Sequence, residues 1–349
     1  MKAATLESKF PLLAVENGCV VSKEADVTVA FRVELPELFS VTGSEYEAIH
    51  SAWHKAVKVL PEYSIVHKQD FFIEEKYRPE TDRDDLSFLS RSFERHFNER
   101  PFLNHFCYLF LTKTTKARSR QESTFSTLCK GRLVPKEIED RETVTRFIEA
   151  VGQFEKIMND SGLVTLRRLT TDEITGTETA AGIVEKYLSL SQHDTTVLKD
   201  IQLNPEEMRI GDDILCLHTL SDTEDLPGKV ATDSRYERLS TDRSDCRLSF
   251  AAPVGLLLDC NHCYNQYIFI DDHGENLKRF EQTARNMQSL SRYSRSNQIN
   301  KAWIEEYLNE AHSKGLTSVR CHCNVMAWSD DREELRRIKN EVGSQLALM

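Results

Sequence analysis

No apolar run in this sequence approaches the roughly 20 residues that cross a bilayer as a helix. The two most apolar windows, Phe102–Leu111 and Ala251–Leu258, reach about half that length. Glu7, Lys9 and Glu16 interrupt the start of the chain, where a secretory leader needs an unbroken apolar stretch. A cytoplasmic location is therefore expected. Glycine and proline are scarce, 13 and 9 of 349 residues, which leaves little room for long disorder. Positive charge is also short: 45 Lys and Arg stand against 56 Asp and Glu, a net charge of −11. That balance argues against wrapping nucleic acid as a main task, because phosphate binding depends on cationic side chains and counterion release. There is no phosphate-cradling loop. The one Gly-Lys dipeptide, Gly228-Lys229, is followed by Val230 and has Thr223 where the first glycine of the motif belongs. No nucleophile elbow of the G-x-S-x-G kind occurs either.

What is present is patterning for an α+β fold. Cys19–Val21 and Asp26–Leu35 read as a hairpin, the second strand carrying Val27, Val29, Phe31, Val33 and Leu35 at period two. Ser44 and Glu47 form a capping box for a helix whose Tyr46, Ile49, Trp53, Ala56/Val57 and Leu60 recur at three and four, with Pro61 as the stop. A strand over Ser64–Ile73, a helix over Leu86–Glu99 with a Leu86, Leu89, Phe93, Phe97 stripe, and a strand over Phe106–Thr112 follow. The middle is helical around Val144–Met158 and Ala180–Leu190, with a short strand at Val164–Leu169. Strands at Met208–Leu220, Tyr264–Asp271 and Ser318–Trp328 then alternate with helices over Glu275–His312, broken near Ser289–Gln298, and Asp330–Met349. The expected fold class is α+β, with mixed or antiparallel sheets covered by helices. Repetition of the element order suggests two similar β-β-α-β-α halves, the second lacking its closing strand. The expected division is an amino-terminal subdomain over 1–195 and a second over 196–349. This duplication fails if the halves differ in strand order.

Three groups of side chains carry candidate chemistry. Cys260, His262 and Cys263, with Cys321, His322 and Cys323, have the residue types of a zinc site. Against that, Val319, Cys321, Cys323, Val325 and Ala327 alternate on one strand face, where thiols act as small core residues. His50 and His54 are spaced i, i+4, but Ser51 stands where the H-E-x-x-H pattern requires Glu, so they read as boundary residues beside Trp53. Acidic pairs such as Asp271-Asp272 sit at helix starts and read as solvated caps. The third group is basic: Lys113, Lys116, Arg118, Arg120, Lys130 and Arg132, with only Glu122 among them. It is either a solvated loop or a contact for anionic headgroups or an acidic partner. Nine cysteines at irregular spacing read as reduced thiols.

Several long stretches together resemble one family. They are FPLLAVENGCVVSKEADVTVAFRVELPELFSVTGSEYEAIHSAWHKAVKVLP, SFLSRSFERHFNERPFLNHFCYLFLTK, VGQFEKIMNDSGLVTLRRLT and VRCHCNVMAWSDDREELRRIKNEVGSQLALM. These resemble the amino-terminal region of the TraG family of conjugative-transposon ATPases, similar to the VirB/TrbE/CagE-type ATPases of type IV secretion. The resemblance implies a docking module for the inner-membrane side of a DNA-transfer channel, peripherally membrane-associated and oligomeric in the full-length protein. It also implies a carboxy-terminal RecA-like ATPase. No Walker A or B residue lies within this segment, so no catalytic residue, metal or cofactor is expected here; ATP and Mg belong to the motor domain. Nucleic acid is not an expected partner of this segment. The stripe Leu335, Ile338, Val342, Leu346 runs to Met349 without a stop signal, which suggests that the native protein continues. The alternative is a zinc-binding domain or enzyme using the Cys/His cluster at 260–323.

Overall fold

The computed structural model describes residues 10–37, 41–77, 87–115, 141–194, 197–204, 207–219, 234–242, 246–248, 252–290 and 293–346. Their chain path starts with strands β1 (Leu12–Glu16), β2 (Cys19–Ser22) and β3 (Val27–Glu34). Helix α1 (Gly43–Lys58) then leads to β4 (Ser64–Lys76), and helix α2 (Phe88–Asn98) leads to β5 (Pro101–Lys113). Next come α3 (Arg141–Asn159), β6 (Thr165–Arg168), α4 (Thr171–Thr175) and α5 (Ile183–Ser189). The later part has β7 (Ile201–Leu203), β8 (Met208–Ile210), β9 (Asp213–Thr219), the pair β10 (Ser234–Arg235) and β11 (Arg247–Leu248), α6 (Ala252–Leu256) and β12 (His262–Ile270). Helices α7 (His273–Leu290) and α8 (Arg295–Lys314), strand β13 (Val319–Ser329) and helix α9 (Arg332–Leu346) complete it.

Eleven strands form one open sheet in the order β1-β2-β3-β5-β4-β12-β13-β9-β8-β7, with β6 pairing β3. All of its described pairings are antiparallel. Reading inward from either end gives the same connectivity: β1-β2-β3-β5-β4 on one side, β7-β8-β9-β13-β12 on the other. The duplication thus passes its own test of strand order. Two details of the expectation change. The halves share a single sheet, joined where β4 meets β12 from Ser64↔Ile270 to Phe72↔His262. The second half is also complete, because Met208–Leu220 is not one strand: Gly211, at φ +62, turns the chain so that β8 and β9 pair as a hairpin.

Local chemistry explains the element boundaries. Thr42 and Glu45 make the capping box of α1, the Glu45 carboxylate accepting from the Thr42 amide at 2.8 Å. Both Thr42/Glu45 and Ser44/Glu47 satisfy the pattern, and the earlier box adds two residues to the helix. On one face of the sheet, α1 and α3 cover the first half, burying Phe31, Leu109, Leu111, Phe147 and Phe154. Trp53 meets Phe154 edge to face at 5.8 Å. On the same face, α6 and α9 cover the second half, where Leu335, Ile338 and Val342 bury against Val325 and Ala327. That is the stripe read from the sequence. Gly255 of α6 is required by close packing, since a Cβ there would lie 2.4 Å from the Tyr264 ring. On the opposite face Phe71, Tyr108, Ile174, Leu190, Cys263 and Trp328 form a third core. Among the described residues no helix is long and apolar enough to cross a membrane.

Candidate functional site

The centre of the sheet is polar on both faces. On the face covered by α1 and α9, the register sets Asp70 opposite Cys107 and Phe72 opposite His105. Asp70 is 3% exposed. Its Oδ1 accepts from His105 Nε2 at 2.8 Å, and its Oδ2 accepts from Lys68 Nζ. Burial pushes the Asp70 carboxyl up, but Lys68 and His105 outweigh it and hold the group well below the usual carboxylate range. Burial works against the Lys68 charge as well, and Asp70 keeps the ammonium charged. The Cys107 thiol is pushed up by burial. A row of stacked rings crosses the junction between the halves, with His105 4.7 Å from Phe72 and Phe72 4.6 Å from His262.

Asp70, His105 and Cys107 place three potential metal-ligand atoms within 4.8 Å of one another, the one such group among the described residues. The residue types suit zinc. The electrostatics do not: Lys68 already serves as the cation of the site, and a metal would have to displace it from Asp70. The arrangement is a charge-compensated network inside the sheet.

On the other face a ladder of side chains crosses β4, β12, β13 and β9. Asn265 Oδ1 accepts from His67 Nε2 and Gln69 Nε2, each at 2.9 Å, and Asn265 Nδ2 donates to Asn324 Oδ1 at 3.0 Å. Thr219 Oγ1 and His322 Nε2 extend the line at 3.2 Å. His67 stacks on Tyr267 at 4.2 Å, and burial pushes its imidazole down to about 4, so it is neutral near pH 7.

The Cys/His cluster of the sequence does not converge. Cys263 lies in the core on the α4/α5 face. Cys323 packs on the opposite side with Val325 and Ala327, as the alternation implied. His262 is fully buried, and both its nitrogens face backbone carbonyls: Nδ1 that of Cys260 at 2.8 Å, Nε2 that of Gly255 at 2.7 Å. Its ring is committed to the backbone. Burial raises the Cys260 thiol to about 12. His50 and His54 are both exposed on α1. Asp271 departs from the solvated-cap reading, for it is buried and paired with Arg320 at 3.0 Å, whereas Asp272 does cap α7 through the Glu275 amide at 2.9 Å.

Of the basic group, Lys113 is also a correction. It ends β5 buried, donates to the Glu62 carbonyl and lies 5.4 Å from the Tyr63 ring centroid, so it contributes nothing to a cationic surface. Lys116, Arg118, Arg120, Lys130 and Arg132 lie outside the described residues.

Two surface features remain. Helix α2 buries none of its residues. Leu89 is 78% and Phe93 63% exposed, with Phe88, Phe97, Phe102 and Tyr77 also exposed around them. Its partly covered residues are the polar Ser90 and Glu94. The amphipathic helix is turned outward. The second feature is a valley of about 460 Å³ between α1 and the middle of the sheet. Lys68, Gln266, Ile268, Cys321 and Cys323 lie along its floor, and Trp53 is in its wall.

Fold and surface therefore define an antiparallel α+β protein whose buried polar groups serve the sheet and whose most amphipathic described helix, α2, keeps its apolar stripe exposed. Residues 1–51, which span β1 to β3 and the first turns of α1, match a family described as a domain of unknown function, B. Theta gene description (DUF3875). Comparison with curated proteins gives no match.

Proposed function

We propose that this chain is the amino-terminal docking and assembly module of a conjugation ATPase of the type IV secretion kind, positioning the motor at the inner-membrane side of the transfer apparatus. The long stretches that resemble the TraG family supply the class. The observation that carries the mode of action is α2: an amphipathic helix whose apolar stripe is exposed, with no cover from the other described residues, is a surface built for contact. The titratable groups in the middle of the sheet are paired with one another, which supports a scaffold over a catalyst. The role assigned to the segment is cytoplasmic and peripheral to the membrane.

Deleting this segment from the full-length protein is expected to abolish conjugative transfer and co-fractionation with the inner membrane, while a separately expressed motor retains ATP hydrolysis. Hydrolysis of ATP by the 349-residue chain itself, lost on substitution of a residue within it, overturns the proposal.

A further inference from the structure

We propose that the cleft between α5 and the strands β6, β3 and β5 binds a small organic acid, holding its carboxylate on Arg32 and Gln192. The docking role above does not require this site, and the two readings stand or fall separately. The cleft has a volume of about 390 Å³, within the range of small-ligand pockets, and every residue that lines it is among the described ones.

Strand register builds the floor. Arg32 of β3 pairs with Tyr108 of β5 on one side and with Arg167 of β6 on the other, so two guanidinium groups stand side by side on one face of the sheet. Like charges placed in this way repel, and each calls for a counter-charge. Arg167 has one: it meets the Glu173 carboxylate in two contacts, at 2.8 and 3.0 Å. Lys186 of α5, in the wall, is neutralised by Asp194 at 2.8 Å. Arg32 has no carboxylate partner among the described residues. Its guanidinium lies 5.0 Å from the Phe106 ring centroid and 4.9 Å from that of Tyr108, which orients the group and leaves its side-chain N–H donors without an acceptor.

Gln192 supplies a second, independent observation. It is only 8% exposed, yet it lines the cleft. Tyr108 Oη donates to its Oε1 at 2.9 Å, so the carbonyl end is taken and the Nε2 donors, unmatched among the described residues, are left for the cleft. A buried donor without an acceptor is costly, and a ligand that supplies the acceptor relieves the cost. Tyr108 thus holds both groups, its ring on the guanidinium and its hydroxyl on the amide.

The ligand class follows from this set. Both groups offer donors only, and the guanidinium fork matches two oxygens of a carboxylate or a phosphate. Charge selects between them. One cation is unanswered, while Asp172, exposed at the rim, repels a doubly charged phosphate more than a single carboxylate. Phe106, Leu169, Ala181 and Ile183 add apolar wall, so the acid carries an apolar body.

Calorimetric titration of the 349-residue chain with hydrocinnamate tests the assignment. Binding is expected with a dissociation constant on the order of 0.1–1 mM, in line with a ligand of this size. Hydrocinnamide, which keeps the body and loses the charge, should bind at least about tenfold more weakly, as should the acid to Arg32→Gln. Arg32→Lys should recover only part of that loss, because an ammonium keeps the charge without the fork. Wild-type protein gives a readout that does not depend on any variant folding. A diazirine-bearing hydrocinnamate is expected to label peptides containing 106–108 or 167–194, read by mass spectrometry, and excess hydrocinnamate to suppress the label. Equal binding of acid and amide, tighter binding of phenyl phosphate than of the acid, or a label placed elsewhere overturns the inference. Absence of binding by the acid overturns it as well.

Discussion

His67 couples stability to pH at the level of a single side chain. Its folded value of about 4 lies below the roughly 6.5 of an unfolded histidine. Between those values the unfolded chain binds more protons than the native one, so stability rises with pH there. The contribution is complete above about pH 6.5 and is lost as pH falls toward 4, by up to about 3 kcal/mol. Urea unfolding at about pH 7.5 and pH 5 should show the loss, and His67→Gln should flatten it. Asp70 acts in the same direction at lower pH: its lowered value keeps its contribution intact until acidity passes below the ordinary carboxylate range. Asp70→Asn leaves the Lys68 ammonium without its counter-charge and should cost about 3 kcal/mol in the same assay. Protein purified without added zinc should carry far less than one zinc per chain by elemental analysis. A stoichiometric content means that the metal has replaced Lys68. These residues carry a signal in the sequence. The run His67-Lys68-Gln69-Asp70 puts polar groups on both faces of a strand flanked by apolar residues, and a strand buried in mid-sheet can do this only if the groups pair with one another.

Helices of similar pattern end up in opposite roles. The stripes of α3 and α2 read alike in the sequence, but Phe154 is completely buried and Phe93 mostly exposed. Phe154→Ala should destabilise by about 3–5 kcal/mol, whereas Phe93→Ala should change stability by less than about 0.5 kcal/mol. Denaturant midpoints of the two variants, measured side by side, check the contrast. Periodicity shows that a helix has an apolar face and nothing about whether its own chain supplies the cover. That is why the existence of α2 was legible and its outward turn was not. Strand positions were well marked by alternation and by turn residues. The outermost strands β1 and β7 leave no such mark, because 5 and 3 residues are too short to establish a period. The separation of the Cys/His cluster was legible in part: alternation marks Cys321 and Cys323 as core thiols of one strand face, while only the pairing of β12 with β13 shows that Cys263 and Cys323 lie on opposite sides of the sheet.

At the scale of the molecule, the division near residue 195 separates two halves of like topology that are not independent bodies. The β4–β12 pairing runs over nine residues, and the ring row and the amide ladder both cross it. Fragments 10–194 and 197–346, expressed alone, should be insoluble or unfolded, because each would expose one edge of a central strand, β4 or β12, that is paired in the whole chain. Co-expression should restore a soluble complex with wild-type circular dichroism.

The joining of the halves at β4 and β12 also has a mechanical meaning. Tension that pulls one half past the other along these strands loads the whole row of inter-strand hydrogen bonds together, so that none fails before its neighbours. A sheet seamed in this way transmits force from one helix layer to the other as a stiff plate, where two domains on a linker would yield first at the linker.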